Sequence, residues 1–459
     1  MKIYKVEAFG GKADGKTLCT KAVQKAVDEC SANGGGIVRF EKGVYVLSSV
    51  FLKSNVTIEI PEGTEILGAE SYYDYAQEEK IDYPIYQDSS HTYYHPSLFV
   101  GIDCENVKIT GGGKIDMRSV WDEDGVRGAA IKHRGAKCIA LKNCKNVGIS
   151  NLGIYNVTDL AIYFAGCENV DIYGIKMRVY IDGISPDNSK NVRIHDCDVE
   201  TGDDGIVFKS SYTLNRLDIC KDIHVWNCKV KSRCNAIKFG TETNGGFEDI
   251  LIEDMEIRET RITGISIESV DGAIVDGVTI RNVTMTNVNA PIFVHIGKRM
   301  RGPEGRAVGK IKNVTLENIT ADGPYEPYEI MAWNYFSYKA NDFYQDPKVF
   351  GIAESFDGTK ATDEWQMTSN ICGLKESPLE NIVLKNLHLK LDGGVKEYNQ
   401  EVPEEAQDYP EVYVYGRILP AKGIYFRHIN GLTLDNVTVE TYALDNRQEF
   451  ILNNVKKHV

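Results

Sequence analysis

The chain is short of the features that would place it in a membrane, on nucleic acid or around a metal. No apolar run approaches the ~20 residues that cross a bilayer, and the opening MKIYKVEAFGGKADG has no charged region leading into an apolar stretch and cleavage site. These features predict a protein with no membrane partner and a cytoplasmic location. Basic residues are outnumbered, 52 Lys and Arg against 66 Asp and Glu, and the net charge of −14 excludes nucleic acid as a partner, though not a local basic cleft. The nine histidines are scattered and no cysteines are paired as CxxC, so no metal-ligand spacing is present and neither metal nor cofactor is expected. A calcium ion on aspartates and main-chain oxygens is chemically open, but the spacing does not demand one. Nucleophile-elbow, phosphate-loop and dinucleotide glycine motifs are also missing. Helical periodicity is nearly absent. It is clear once, over about 20–30, where Ala22, Val23, Ala26, Val27 and Cys30 fall on one face and predict a helix that covers the end of a strand stack.

What the chain has in quantity is short Val and Ile runs set off by Asn, Asp and Gly. From residue 100 onward they recur as NVKI, NVGISNLGI, NVDIYGIKM, NVRIHDCDV, DIHVWNCKV, DILIEDMEI, GVTIRNVTM, NVTLENITA, NIVLKNLHL and GLTLDNVTV. The first apolar residue of each stands at 107, 147, 170, 192, 223, 250, 278, 314, 382 and 432. The shorter intervals, 22 to 31 residues, are too small for propeller blades and lack a leucine-rich consensus. The predicted fold is all-β: a right-handed parallel β-helix of about ten turns, with the longer intervals as loops inserted into single turns. Asn and Asp at the start of each run are expected to stack at a bend. Cys104, Cys144, Cys167 and Cys220 each precede the repeat residue by three, which predicts a stack of reduced thiols in place of disulfides.

A stacked array grows without splitting, so 1–459 is expected to be one domain. Residues 1–60 are its cap and first turn, 100–320 the regular repeats and 423–459 the last turn. Two long insertions, 323–380 and 392–422, are rich in Tyr, Phe, Trp and acidic residues. Loops of that length are functional or contact surfaces, and their aromatics suit either a sugar face or a second subunit, so a homo-oligomer formed through them is one expectation.

The stretch Tyr180 to Lys209 carries the chemistry. Two DGI triplets begin at Asp182 and Asp204, 22 residues apart, and Asp203 precedes the second. One strand per turn would set carboxylates in the same phase about 4.8 Å apart at the backbone. Carboxylates that close resist ionising together, which separates their pKa values as acid and base catalysis requires. Ile184, Ile206, Ile237, Ile265 and Ile292 extend the phase, and if they face inward the residues one and three places later form a common outward face. That face would hold Ser266, Lys238, Lys209, Glu268 and His295. Asp182, Asp204 and Asn235, two places before the isoleucines, reach it only if the chain bends just before the strand.

This pattern resembles glycoside hydrolase family 28, the polygalacturonase and rhamnogalacturonase enzymes, whose motifs run NTDG, then GDD or QDD, then GHG, then RIK. The resemblance covers most of the chain, with 8–40 matching the opening of pectin-active β-helix proteins. It implies an oligosaccharide substrate and hydrolysis with inversion: Asp203 as general acid, with Asp182 and Asp204 deprotonating the attacking water. The departures lie beyond the aspartates. Ile181 replaces a polar residue, Asn235 stands at the histidine of GHG, and Ser266-Ile267-Glu268 stands at RIK. In the family the Arg and Lys look like a clamp for a uronate carboxylate, and a Glu there repels one. The resemblance therefore carries over the reaction and not the customary polygalacturonate. Lys209, Lys238, His295, Lys298 and Arg299, with Arg427 and His428, are the groups left to bind sugar. The expected activity is an exo-acting hydrolase of pectin-derived or related oligosaccharides. The alternatives are a β-helix lyase or epimerase, or a carbohydrate-binding β-helix without catalysis.

Overall fold

Asparagine's tolerance of the left-handed backbone region sets the corners of this fold. In the computed structural model, which describes residues 1–120, 134–325, 366–398, 400–404 and 409–457, Asn55, Asn106, Asn146, Asn169 and Asn191 all have φ between 51° and 63°. Each amide from Asn106 on donates from Nδ2 to the Oδ1 of the one before it, at 2.8, 3.0, 3.0 and 2.6 Å. The repeat asparagines thus turn the chain and also form a hydrogen-bonded ladder.

The chain divides into two compact units, one of Met1–Thr201 with Ser211–Cys228 and one of Gly202–Ser210 with Lys229–Val459. In the first, strands stack in parallel ladders. One ladder runs from Gly36–Arg39 through Val56–Glu59, Glu105–Thr110, Lys145–Ser150, Glu168–Tyr173 and Lys190–His195 to Ile219–Trp226. Its register sets Val107, Val147, Val170, Val192 and Ile223 side by side, the residues that mark the repeat in the sequence. A second ladder includes Lys176–Val179 and Asp198–Thr201, and a third Ile162–Ala165 and Ile184–Asp187. The helix Thr20–Ala32 buries Ala22, Val23, Ala26, Val27 and Cys30, the face read from its spacing.

The second unit continues the same three-strand plan. Ile250, Val278, Val314, Ile382 and Leu432 stack in one ladder, and a second Asn series, Asn282, Asn318, Asn386 and Asn436, links turn to turn at 2.9–3.0 Å. Another ladder sets Ile206, Ile237, Ile265 and Ile292 in register, each fully buried. Three ladders repeated turn after turn make each unit a parallel β-helix, the fold class expected. All eleven cysteines are buried free thiols, and the backbone N–H of Cys144 donates to Cys167 Sγ at 3.3 Å, within the thiol row.

Two boundaries differ from the sequence reading. Stacking begins well before 100, with Ile3–Lys5 already paired to Gly36–Arg39, and it is hard to see in the sequence because strands such as Gly43–Leu47 lack the Asn signature but keep the same pairing. The insertion read as 323–380 ends sooner, since Ser369–Cys372 pairs with Ile274–Ile296 and Ala421–Ala443 as a regular strand. Its aromatic portion, 326–365, and with it the expected contact surface for an oligomer, lies outside the described residues.

Candidate active site

The DDG motif sits where a turn closes onto a strand. The backbone bends at 202–203 and again at 205 before the strand Ile206–Ser210 begins, the irregularity required for Asp204 to reach the outward face. Glycine at 205 is a matter of space: a Cβ there would lie 2.4 Å from Val230 Cγ1 and 2.6 Å from the Ala236 carbonyl oxygen. Ser232 Oγ donates to the Asp203 carbonyl at 2.6 Å and so pins the bend to the next turn.

The two adjacent aspartates have different surroundings. Asp203 is half-buried, whereas Asp204 is buried. Asp204 Oδ1 accepts the Asn235 backbone N–H at 3.1 Å and its Nδ2 at 2.8 Å, and Lys238 Nζ lies 3.6 Å from Oδ2. Burial pushes the Asp204 carboxyl up, the Lys238 ammonium pulls it back, and the Asp203 charge adds to the rise. A buried carboxylate next to a more exposed one is the arrangement that separates base from acid.

Lys238 is the hub of the site. Its Nζ stands 2.5 Å from Glu411 Oε1, 3.6 Å from Asp204 and 3.7 Å from Glu268 Oε1. Burial works against its charge, but these three carboxylates prevail and hold it well above the ordinary lysine range. Glu268 is fully buried and accepts Ser266 Oγ at 2.7 Å. Burial pushes its carboxyl up to about 8 against the pull of Lys238, and pushes Glu411 up to about 6. Asn235, Ser266, Lys238 and Glu268 therefore meet around Asp204, as their phase predicts.

The remaining sequence candidates are engaged by the protein itself. Lys209 donates to Glu242 Oε2 at 3.1 Å and the Gly240 carbonyl at 3.4 Å. Arg299 grips Asp271 at 3.0 and 2.5 Å, and Lys298 pairs with Glu376. His295 is held by Tyr415 Oη at 3.0 Å; burial, reinforced by Arg427, lowers it to about 3 and keeps it neutral. Arg427 is wholly buried and donates to the carbonyls of Val402, Pro403 and Glu404 at 3.3, 2.6 and 3.0 Å. His428 bonds Glu404 and Asn454 at 2.8 Å each. His295, Arg427 and His428 thus fasten Tyr415 and 402–404. Asp182 is a buried residue of the first unit.

The face expected to be an open groove is covered in the second unit by that same insertion. Val412, Val414, Tyr415 and Leu419 pack with Cys234, Ile262, Phe293 and Tyr425, so Lys238, Ser266 and Phe293 are buried despite pointing outward. Sequence reasoning missed Glu411, because an insertion has no repeat phase. Its Glu-Val-Tyr-Val-Tyr alternation was the available signal.

Among the described residues Asp203, Asp204 and Cys234 are near enough to share an ion, with one ligand atom from each within 4.8 Å of the others. Burial and the neighbouring carboxylates push the Cys234 thiol well up. It keeps its proton and is a poor third ligand.

The family model described as glycosyl hydrolases family 28 matches residues 52–330. A protein of Vitis vinifera described as a probable polygalacturonase is 25% identical over 409 residues, covering 84% of this chain and 74% of that one. The exo-poly-alpha-D-galacturonosidase of Dickeya chrysanthemi is 24% identical over 306 residues, 55% of this chain and 50% of its own length. The crystal structure of the exopolygalacturonase from Thermotoga maritima superposes with a TM-score of 0.68 over 96% of this chain and 92% of that one, at 18% identity.

Proposed function

The chain belongs to glycosyl hydrolases family 28, and on that footing we propose that it is an inverting, exo-acting hydrolase of pectin-derived or related oligosaccharides. Asp203 is the general acid in this reading, and Asp204 removes the proton of the attacking water, a task the family resemblance gives also to Asp182. One observation carries the assignment: of two neighbouring carboxylates, one is half-exposed and the other is buried, raised by burial and fixed by Asn235 and Lys238. Once ionised, a carboxylate raised in this way is the stronger base, while the acid role of Asp203 rests on the family pattern and on its greater exposure to a glycosidic oxygen. The oxygens of Asp203 and Asp204 come within 4.8 Å, closer than the roughly 6.5–9.5 Å usual for an inverting pair. Inversion therefore rests on the family pattern and not on this spacing. Exo-action is supported by the packing of Val412, Val414, Tyr415 and Leu419 over the ladder face next to Asp204, which leaves a polymer no straight run along it.

Incubation with a panel of plant oligosaccharides, with the anomer of the first product followed by NMR, tests the reading. The expected results are release of terminal units with inversion and a loss of roughly 100- to 10,000-fold on Asp203→Asn. Retained activity in that variant removes Asp203 from the role, and a product of unchanged anomeric form removes inversion.

A further inference from the structure

Lys238 is the cation that a substrate carboxylate beside Asp204 would seek, and the protein has already supplied it with a carboxylate of its own. Glu411 Oε1 lies 2.5 Å from Lys238 Nζ and 3.4 Å from the Asn235 amide nitrogen, the two donors that face this point. Both side chains of the pair are at most 4% exposed. Asp204 and Glu268 approach the same ammonium from other sides.

The segment bearing Glu411 is fastened by contacts of core quality. Asn370 Nδ2 donates to the Val412 carbonyl at 2.8 Å, Tyr415 Oη bonds His295 at 3.0 Å, and the Leu419 N–H donates to Thr368 Oγ1 at 3.1 Å. On its other flank Arg427 and His428 hold 402–404. A side chain anchored in this way is a fixed wall of the site.

We propose that Glu411 is a specificity-determining residue which neutralises Lys238, so that the position beside Asp204 accepts an uncharged sugar and rejects a uronate. The inference rests on the glycosidase reading and deepens it by naming the charge class of the substrate. A uronate arriving there would meet the Glu411 and Asp204 carboxylates with Lys238 already paired to Glu411, and like charges brought together in a buried site oppose binding. Three buried acceptor oxygens without hydrogen-bond donors, Asn235 Oδ1, Glu268 Oε2 and Glu411 Oε2, add a preference for groups that donate, as sugar hydroxyls do.

The test compares trigalacturonate with its fully methyl-esterified form, two ligands that differ in charge with the sugar configuration unchanged. Hydrolysis is measured for the whole protein, and binding by calorimetry for Asp203→Asn. The ester is expected to be favoured at least tenfold in kcat/KM and in affinity. In Glu411→Gln the preference should shrink about tenfold, mainly through KM for the acid, and Glu411→Asp should restore it. A purely structural role for Glu411 would lower activity on both ligands together and leave their ratio unchanged, which overturns the proposal. Preference for the free acid in the unaltered protein also overturns it while leaving the glycosidase reading intact. Binding of the ester without any hydrolysis would sustain the charge preference and remove the glycosidase reading. Failure to bind either ligand refutes both.

Discussion

Replacing Glu268 by Gln is expected to stabilise the protein, increasingly as pH rises from 4.5 to 8. Burial pushes the Glu268 carboxyl from an ordinary 4.5 up to about 8, with Lys238 pulling it back. The folded chain therefore holds a proton across the window from 4.5 to 8 that the unfolded chain has released, and folding stability must fall as pH rises through it. Below 4.5 both states are protonated and the group contributes no difference. Each unit of separation is about 1.4 kcal/mol, which over this window gives roughly 5 kcal/mol as a ceiling. Asp204 and Glu411 share the same lysine, so about 2–4 kcal/mol is the working figure for Glu268 alone. Glutamine has the shape of the protonated acid and can keep the 2.7 Å bond from Ser266 and the approach of Lys238. Urea melts of both proteins at pH 5, 7 and 8.5 test this, because titrating groups that do not interact with Glu268 cancel in the difference. The two should agree within about 1 kcal/mol at pH 5, with the variant more stable by about 2–4 kcal/mol at pH 8.5. A variant equal to or weaker than the parent at pH 8.5 would mean that Glu268 is a stabilised carboxylate, and the account of Lys238 as an overcommitted cation would fail.

Other substitutions test the parts that place this cluster. Gly205→Ala sets a Cβ against Val230 and the Ala236 carbonyl and should cost about 1–3 kcal/mol, read as a lower thermal midpoint, with turnover falling further because Asp204 moves with it. Asn169→Ala removes two ladder bonds, at 3.0 and 2.6 Å, and leaves alanine at φ 58°. A loss of about 1–2 kcal/mol is expected from that left-handed residue and its bonds, and an unchanged melt would show that the ladder adds nothing. Arg427→Leu removes three donations to 402–404 and should expose that segment to limited proteolysis well before the rest of the chain is cut.

Much of the fold could be read from the sequence because its physics is periodic. Asparagine turns the corner at positive φ and bonds to its counterpart one turn away, so the same residue type must recur at the same place. The paired strands then put Val107, Val147, Val170 and Val192 in register, which is the spacing visible in the chain. The turns before 100 stand out less because glycines such as Gly35, Gly43 and Gly63 take the positive φ there beside Asn55, and the strand Ser369–Cys372 was missed because so long an insertion precedes it.

The site was legible only as far as the repeat extends into it. Asp204, Asn235, Lys238, Ser266 and Glu268 share the ladder's phase, and they do converge. The charge state of that convergence could not be read. It depends on Glu411, 173 residues from Lys238 along the chain, which is carried by an insertion that obeys no period. The same gap explains why the sequence could not show what His295, Arg427 and His428 bond to in the folded chain. Phase aligned Glu268 with His295 and brought Arg427 into the same ladder, but it could not show that a foreign segment lies over them. With that segment in place these side chains act as its fastenings, which holds Glu411 at its position beside Lys238.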